Sequence, residues 1–176
     1  MEKRVIMSSR DIDLALQRIA LQILERNHDF RSLAIVGIHT CGVFVAEKIH
    51  EIIGREVGLT IPFGTLDINL YRDDWSLTSQ NPIVKTSDIQ FDVEGINLIL
   101  VDDVIFTGRT IRSAMDAILD YGRPNTIELA ALIDRGGREL PIQPDFTGLH
   151  AVVLQNERIN VLLNRNDGDG EVVIES

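Results

Sequence analysis

Apolar residues recur at helical spacing in three stretches of this chain, residues 14–24, 43–53 and 111–119, with charged or polar residues between them. A repeat of this period places the apolar side chains on one face, so each stretch predicts an amphipathic helix that packs against a core. Ser8 and Ser9 precede the first stretch and are typical N-cap residues. The pattern therefore predicts three helices, the first beginning near Ser8.

Nearly continuous apolar runs at residues 33–38, 97–105 and 126–133 predict three buried strands, and residues 66–70 alternate as a fourth strand would. Because strands and helices alternate along the chain, we predict an α/β fold with a mostly parallel central sheet flanked by helices. Ligands of such sheets usually bind at the carboxyl ends of the strands. The loops that follow the predicted strands are therefore the first candidates for a functional site.

Residues 71–87 are mostly polar and predict a mobile loop, with an ordinary exposed hairpin as the alternative. Residues 167–171 form an acidic, glycine-bearing segment. No repeat or low-complexity linker divides the chain, and its 176 residues suffice for one hydrophobic core. We therefore expect a single domain over residues 1–176.

Composition narrows the classes of function. No apolar run reaches the length of a membrane span and the first ten residues do not resemble a signal peptide, so we expect a cytoplasmic protein with no membrane partner. The net charge of −10 opposes general attraction to nucleic acid, although a local basic patch can persist on an acidic protein. Cys41 is the only cysteine, which excludes an internal disulfide and a thiolate metal cluster.

The most informative segment begins where the strand predicted at residues 97–105 carries two adjacent carboxylates, Asp102 and Asp103. A Thr-Gly-Arg-Thr loop, residues 107–110, then leads into a predicted helix. The unpaired N–H groups of a helix N-terminus, together with the two threonine hydroxyls, suit a phosphate, and carboxylates accept hydrogen bonds from the hydroxyls of a ribose. The segment therefore predicts a site for a phosphorylated sugar.

A simpler interpretation is that the carboxylates only end a strand and that a threonine only caps a helix. It is less favoured, because two carboxylates at a buried strand end are costly without a ligand. The Gly-Lys-Ser/Thr ending of a Walker loop and the dinucleotide fingerprint are both absent from the sequence.

This segment resembles the signature with which type I phosphoribosyltransferases bind phosphoribosyl pyrophosphate (PRPP). The likeness rests on thirteen consecutive residues, Leu98, Ile99, Leu100, Val101, Asp102, Asp103, Val104, Ile105, Phe106, Thr107, Gly108, Arg109 and Thr110.

Further segments at residues 36–42, 67–74, 122–124 and 134–142 resemble a narrower group, the pyrimidine-operon attenuation regulators that are also uracil phosphoribosyltransferases. This resemblance implies a type I phosphoribosyltransferase fold with a small hood and a flexible loop. It implies that uracil and PRPP react to give UMP and pyrophosphate, with Mg²⁺ as a cofactor held mainly by PRPP. It also implies a regulator that senses UMP or UTP, binds the pyr mRNA leader and forms a homo-oligomer, a dimer or higher.

Roles for individual residues follow from the same resemblance. Asp102 and Asp103 are implied to hold the ribose hydroxyls, and residues 104–110 to surround the 5′-phosphate. Thr40 and Cys41 fall in the pyrophosphate loop, and residues 71–74 begin the flexible lid. Lys85 and Arg135 are implied as ligands of the pyrophosphate or its metal, and the catalytic set comprises Asp102, Asp103, Arg72 and Arg135.

Two residues depart from the family pattern. The pyrophosphate loop of the family reads Thr-Arg-Gly, but this chain has Cys41 in the middle place, which brings no positive charge and predicts weaker catalysis. The hood segment of the family tends to carry a histidine where this chain has Gly137, which has no side chain to contact a pyrimidine. A phosphoribosyltransferase for another base is therefore one alternative.

The other alternative is a largely non-catalytic RNA-binding regulator that senses nucleotides. In the first predicted helix, phosphate contacts could come only from Arg10, Arg18 and Arg26, and these arginines equally fit a solvated helix face.

Overall fold

A computed structural model describes residues 3–73, 86–154, 156–163 and 170–176 of the chain. Within those ranges, no helix combines the length and the apolar character that a membrane crossing requires. The helices are α1 (Ser9–Arg26), α2 (Cys41–Val57) and α3 (Arg109–Leu119), with short 3₁₀ turns at Phe30–Ser32 and Asn69–Tyr71. The strands are β1 (Lys3–Met7), β2 (Leu33–Ile38), β3 (Phe63–Leu66), β4 (Asn97–Ile105), β5 (Thr126–Asp134), β6 (Phe146–His150), β7 (Arg158–Leu163) and β8 (Gly170–Glu175).

Five of the strands form a parallel sheet in the order β3-β2-β4-β5-β6, which confirms the predicted central sheet. Alternate residues of β4 enter two cores on opposite faces. Ile99 and Val101 pack with the buried side of α1 and α2, whereas Leu98 and Leu100 pack with the buried side of α3. This part of β4 has no solvent-facing side, which explains the continuous apolar run from Leu98 to Val101.

Helix α1 begins as the sequence predicts. The Ser8 hydroxyl accepts a hydrogen bond from the Asp11 N–H at 3.3 Å, and the Asp11 carboxylate accepts one from the Ser8 N–H at 2.9 Å. This reciprocal pair is a capping box. Ser9 is the first residue of the helix rather than its cap.

The prediction of a strand at residues 66–70 is wrong. Strand β3 ends at Leu66, and the chain turns into the 3₁₀ segment Asn69–Tyr71. The turn is stabilised by Asp67, whose carboxylate accepts a hydrogen bond from the Asn69 N–H at 3.0 Å. An aspartate that binds the backbone two residues ahead competes with strand pairing, and this local bond outweighs the alternating pattern.

The residue pattern did not predict the strands of a second, antiparallel sheet in the order β1-β8-β7, which forms the small hood that the family resemblance implies. The hood joins residues near the two ends of the chain: Val5 pairs with Val173, and the Lys3 ammonium contacts the Glu171 carboxylate at 2.5 Å. Most of the loop predicted at residues 71–87 lies outside the described residues, as does most of the acidic segment at 167–171.

Helix α2 approaches β2 closely because Gly37 has no side chain. A Cβ atom at Gly37 would lie 2.8 Å from the Ala46 Cβ and 2.8 Å from the Val43 Cα. These distances are too short for carbon atoms, so a larger residue would force the helix away from the sheet.

We expect Gly37→Ala to lower the free energy of unfolding by about 1–3 kcal/mol, the usual cost of overpacking. Gly54→Ala, in helix α2, is the control, because a Cβ atom at Gly54 would meet only the Leu59 carbonyl, at 3.4 Å. Alanine is favoured over glycine within a helix by up to about 1 kcal/mol, so this control should be neutral or more stable. Urea denaturation measures the free energy of unfolding of both variants. Equal stability of the two would contradict the close approach of α2 to β2.

Candidate active site

The carboxyl ends of β2 and β4 open onto two adjoining cavities. The first, of about 310 Å³, is lined by His39, Thr40, Asp67, Ile68, Asn69, Arg72, Asp102, Asp103, Val104 and Thr110. The second, of about 280 Å³, is lined by Arg72, Asp73, Thr107, Arg109, Thr110, Ser113 and Glu139. Because Arg72 and Thr110 line both cavities, one elongated ligand can occupy the two.

Of the pyrophosphate loop predicted at Thr40 and Cys41, Thr40 lies between β2 and α2, and Cys41 is the first residue of α2. The peptide bond between His39 and Thr40 is cis, and the His39 N–H donates to the Leu66 carbonyl at 2.9 Å. Gly42 follows in α2, and a Cβ atom there would lie 3.0 Å from a carboxylate oxygen of Asp102. Glycine at this position therefore allows the loop to lie directly against the carboxylate at the end of β4.

Asp102 is buried, with 6% of its surface exposed, and its Oδ1 accepts a hydrogen bond from the Asp103 N–H at 3.0 Å. Burial raises the pKa of Asp102 well above its ordinary value, and the negative charge of the adjacent Asp103 raises it further. A buried carboxylate with a raised pKa, facing a cavity, is typical of a functional site. It gains most from a ligand that brings hydroxyl donors or positive charge.

Residues 104–110, which are predicted to surround the 5′-phosphate, are named the phosphate loop. This loop turns at Gly108, which has a φ of +91° and precedes the first residue of α3. Glycine accommodates this left-handed conformation without strain. Thr107, Thr110 and the N-terminal end of α3 border the second cavity, and their role in binding the 5′-phosphate stays a prediction.

Arg109 makes contacts that the sequence did not predict. Its guanidinium lies between two carboxylates, at 2.6 Å from Asp73 and 2.7 Å from Glu139. Asp73 follows the 3₁₀ turn after β3, and Glu139 belongs to the loop after β5. Arg109 therefore joins the phosphate loop to two other loops around the cavity.

Arg135 lies in a different place from the other predicted catalytic residues. It lines a third cavity, of about 880 Å³, together with Phe106, Gly136, Gly137, Val152, Val153, Asn156, Glu157 and Arg158. The Arg135 guanidinium is 3.9 Å from the centre of the Phe106 ring and donates to the Glu157 carbonyl at 2.9 Å. Its predicted role as a pyrophosphate ligand stays a prediction.

Asp134 shapes the loop that carries Arg135. Burial would raise the pKa of Asp134, but hydrogen bonds from the Gly136 N–H and from Arg138, with the charge of Arg138, hold it below its ordinary value. The Arg138 guanidinium lies 2.7 Å from the Asp134 carboxylate and also donates to the Phe106 carbonyl at 2.8 Å. These bonds fix residues 134–138 against the end of β4.

Cys41 lines none of these three cavities; its sulfur lies 4.0 Å from the Val161 carbonyl of β7 in the hood. Lys85, the other predicted ligand of the pyrophosphate, lies outside the described residues.

The described residues include no cluster of three or more histidine, cysteine, aspartate or glutamate side chains that could hold a metal. Asp102 and Asp103 supply two carboxylates beside the first cavity, and hard oxygen donors of this kind suit Mg²⁺ if phosphate oxygens complete its coordination.

Two of the arginines considered for phosphate binding in α1 have intramolecular partners. Arg26 contacts Glu128 at 2.7 Å and Asp145 at 2.9 Å, and Arg18 donates to the Gly148 carbonyl. Both therefore fasten α1 to the neighbouring sheet.

The sequence model of the phosphoribosyl transferase domain matches residues 7–164, and the chain belongs to this family. The class of enzyme that the fold and the site define is thus a phosphoribosyltransferase. Solved structures agree on the fold. A hypoxanthine-guanine phosphoribosyltransferase from Bacillus anthracis superposes with a TM-score of 0.72 at 15% identity, covering 97% of this chain and 98% of the other.

Within the family, the chain is similar over nearly its whole length to proteins named Bifunctional protein PyrR. The one from Syntrophobacter fumaroxidans is 49% identical over 172 residues, 98% of this chain and 92% of the relative. The one from Thermoanaerobacter sp. strain X514 is 52% identical over 172 residues, 98% and 97% of the two chains. The one from Bacillus cereus is 48% identical over 175 residues, 98% and 97%. The narrower resemblance predicted from the sequence is confirmed.

The raised pKa of Asp102 leads to a test on the protein without ligand. A carboxyl whose folded pKa exceeds its unfolded value of 3.8 costs stability when ionised, and the cost disappears as the pH falls from the folded pKa to the unfolded one. Asp102→Asn should therefore raise the melting temperature at pH 8, by at least about 2 °C if the cost reaches roughly 1 kcal/mol.

This gain should shrink as the pH is lowered, because protonation removes the same charge from the wild-type protein. Scanning calorimetry at several pH values measures it. A variant that melts below the wild type at pH 8 would contradict the assignment of a buried, costly carboxylate.

Proposed function

We propose that this chain is a uracil phosphoribosyltransferase that converts uracil and PRPP into UMP and pyrophosphate, in a single domain over residues 1–176. The observation that carries the proposal is the buried Asp102, adjacent to Asp103 beside a cavity that continues into the phosphate loop. The PyrR relatives support uracil as the base.

The sugar of PRPP lies in the first cavity. Asp102 and Asp103 accept hydrogen bonds from its two hydroxyls, which recovers part of the cost of burying the Asp102 charge. Carboxylates at the end of a strand anchored on both faces hold the ribose in one orientation, and orientation is itself a large contribution to rate.

The 5′-phosphate lies in the second cavity. The first N–H groups of α3 have no partner within the helix, and that of Arg109 donates to the Thr107 hydroxyl at 3.3 Å. These N–H groups and the hydroxyls of Thr107 and Thr110 are donors for the phosphate. Thr110 also lines the first cavity, so this residue marks the passage from the sugar to its phosphate.

The pyrophosphate leaves from the side of Thr40 and Arg72, which line the first cavity. Negative charge develops on the departing group while positive charge develops on the sugar, and a guanidinium fixed beside the leaving group stabilises that separation. Asp102 and Asp103 would offer oxygen donors to Mg²⁺ held mainly by PRPP, and the ion would reduce the negative charge of the leaving group.

The base enters the third cavity, beside Phe106 and Arg135. Residues 71–87 act as a lid that excludes water while the sugar is reactive. Arg109 contacts Asp73 at the start of this segment, which places a charged link between the lid and the phosphate loop.

We propose a second role in regulation, in which UMP or UTP binds the same site and the protein binds the pyr mRNA leader as a homo-oligomer, a dimer or higher. With a net charge of −10, RNA binding depends on a local basic surface and should weaken steeply with salt. A salt titration of leader RNA binding, with and without UMP, tests this role. Binding that neither salt nor UMP changes would oppose it.

Formation of UMP from uracil, PRPP and Mg²⁺ tests the enzymatic role. A panel with hypoxanthine and guanine in place of uracil separates it from a phosphoribosyltransferase for another base. Preferred turnover of a purine would reject uracil as the substrate, and no turnover with any base would favour the non-catalytic regulator.

The variant Asp102→Asn with Asp103→Asn should lose turnover by at least about 10²-fold, since amides cannot replace ionised acceptors of the ribose hydroxyls and preorganised charge is the main source of catalysis. Asp116→Asn, on α3, is the matched control. Its carboxylate is exposed and lies 3.7 Å from Arg112, so its loss should cost little. Steady-state rates decide: near-normal turnover of the folded double variant would show that the ribose site is assigned wrongly.

A further inference from the structure

Two consecutive glycines in the loop after β5 have nearly the same backbone conformation but different surroundings. Gly136 has a φ of +74° and Gly137 a φ of +72°. A Cβ atom at Gly136 would meet nothing within 4 Å, whereas one at Gly137 would lie 2.5 Å from the Cε2 atom of Phe106 and 3.1 Å from its Cδ2. A side chain at residue 137 is therefore incompatible with the present position of the Phe106 ring.

The same loop holds Phe106 in that position. The Arg135 guanidinium lies 3.9 Å from the ring centre, a distance at which a cation is attracted to an aromatic face. Arg135 is itself tied to the Glu157 carbonyl, and Arg138 donates to the Phe106 carbonyl. Ring and backbone are thus both fixed by neighbouring groups.

Phe106 nevertheless keeps 41% of its surface exposed, and it lines the cavity of about 880 Å³. An exposed aromatic ring fixed at the edge of a cavity offers a stacking surface for a planar heterocycle. Among the described residues, this cavity shares no lining residue with the two cavities assigned to the sugar and phosphates.

On the basis of the proposed function, we propose that the base stacks on Phe106. Gly137 is then a positioning residue, because its lack of a side chain leaves room for the Phe106 ring in its present position. Base recognition then depends on the shape of a stacking surface shared by Phe106 and Arg135. It does not need a hydrogen bond from residue 137, where the family tends to carry histidine.

A side chain at residue 137 should affect binding of the base but not binding of PRPP. A Cβ atom at residue 137 must displace the Phe106 ring, because the alternative is movement of a loop fixed by Asp134 and Arg138. Displacement of the ring changes the surface that the base meets, whereas Phe106 lines neither of the two cavities assigned to the sugar and the 5′-phosphate. The Michaelis constant for uracil should therefore rise without a matching change for PRPP.

The experiment compares Gly137→Ala with Gly136→Ala. Both variants place alanine at a left-handed position, so both carry similar backbone strain, and only the first adds the contact with Phe106. We expect the uracil Michaelis constant of Gly137→Ala to exceed that of Gly136→Ala by about tenfold, the order of one lost stacking contact, with PRPP constants within about twofold of each other.

A double-mutant cycle tests whether Gly137 acts through the ring. Phe106→Leu removes the Cε2 and Cζ atoms of the ring and should itself weaken uracil binding. Adding Gly137→Ala to Phe106→Leu should then raise the uracil constant little further, since the Cε2 atom, which would lie 2.5 Å from the new Cβ atom, is gone. If the two substitutions raise the uracil Michaelis constant additively, the proposal is overturned. If Gly137→Ala does not fold, recovery of a folded protein by the double variant supports the steric link, and failure to recover overturns it.

The experiments also distinguish a wrong role for Gly137 from a wrong proposed function. If the wild-type protein does not turn over uracil, calorimetric affinity for UMP replaces the Michaelis constant in the same set of variants. Equal UMP affinity of Gly136→Ala and Gly137→Ala overturns the role of Gly137 alone. No UMP binding by the wild-type protein overturns both proposals.

Discussion

The carboxylate of Asp102 lies at the end of β4, where Gly42 of the pyrophosphate loop packs against it so closely that a Cβ atom would lie 3.0 Å away. This contact requires α2 to approach the sheet, which Gly37 permits from the neighbouring strand. Two glycines thus bring together a carboxylate from β4 and a loop from β2. Without this approach the two halves of the first cavity would separate, and the cost of burying Asp102 would have no counterpart in ligand binding.

Loops around the site are joined to one another by arginines rather than by apolar packing. Arg109 links the phosphate loop to Asp73 and Glu139, and Arg138 links the loop after β5 to the end of β4. The ion pairs of Arg109 join half-exposed side chains, so each is weak and is rearranged at low cost, whereas Arg138 and its partner Asp134 are largely buried. The loop after β5 is thus held firmly, and the exchangeable links at Arg109 fit the lid proposed above.

The sequence predicted the parts of the fold that depend on neighbouring residues. The apolar runs at residues 33–38 and 97–105 are visible because both faces of those strands are covered, and the thirteen-residue signature spans most of the second strand and the loop that follows it. The resemblance implied a hood, but the residue pattern did not predict its strands, because their pairing joins residues near the two ends of the chain, such as Val5 and Val173. No local pattern carries the register of so distant a pair.

Side-chain directions explain the other differences between prediction and structure. A motif places Arg109 in the phosphate loop, but the carboxylates of Asp73 and Glu139 decide where its guanidinium lies. Arg135 follows β5 and Phe106 follows β4, so their stacking depends on how two parallel strands are registered. Asp67 shows the opposite case, since a local hydrogen bond ended a strand that the alternating pattern predicted.

The central claim is that the buried carboxylates form the sugar site of PRPP, and it is tested most directly by thermal stabilisation. A ligand that binds only the folded protein must raise its melting temperature. Saturating PRPP with Mg²⁺ should raise the melting temperature of the wild-type protein and leave that of the Asp102→Asn, Asp103→Asn variant nearly unchanged. Absence of a shift in the wild type, or an equal shift in both proteins, would contradict the account.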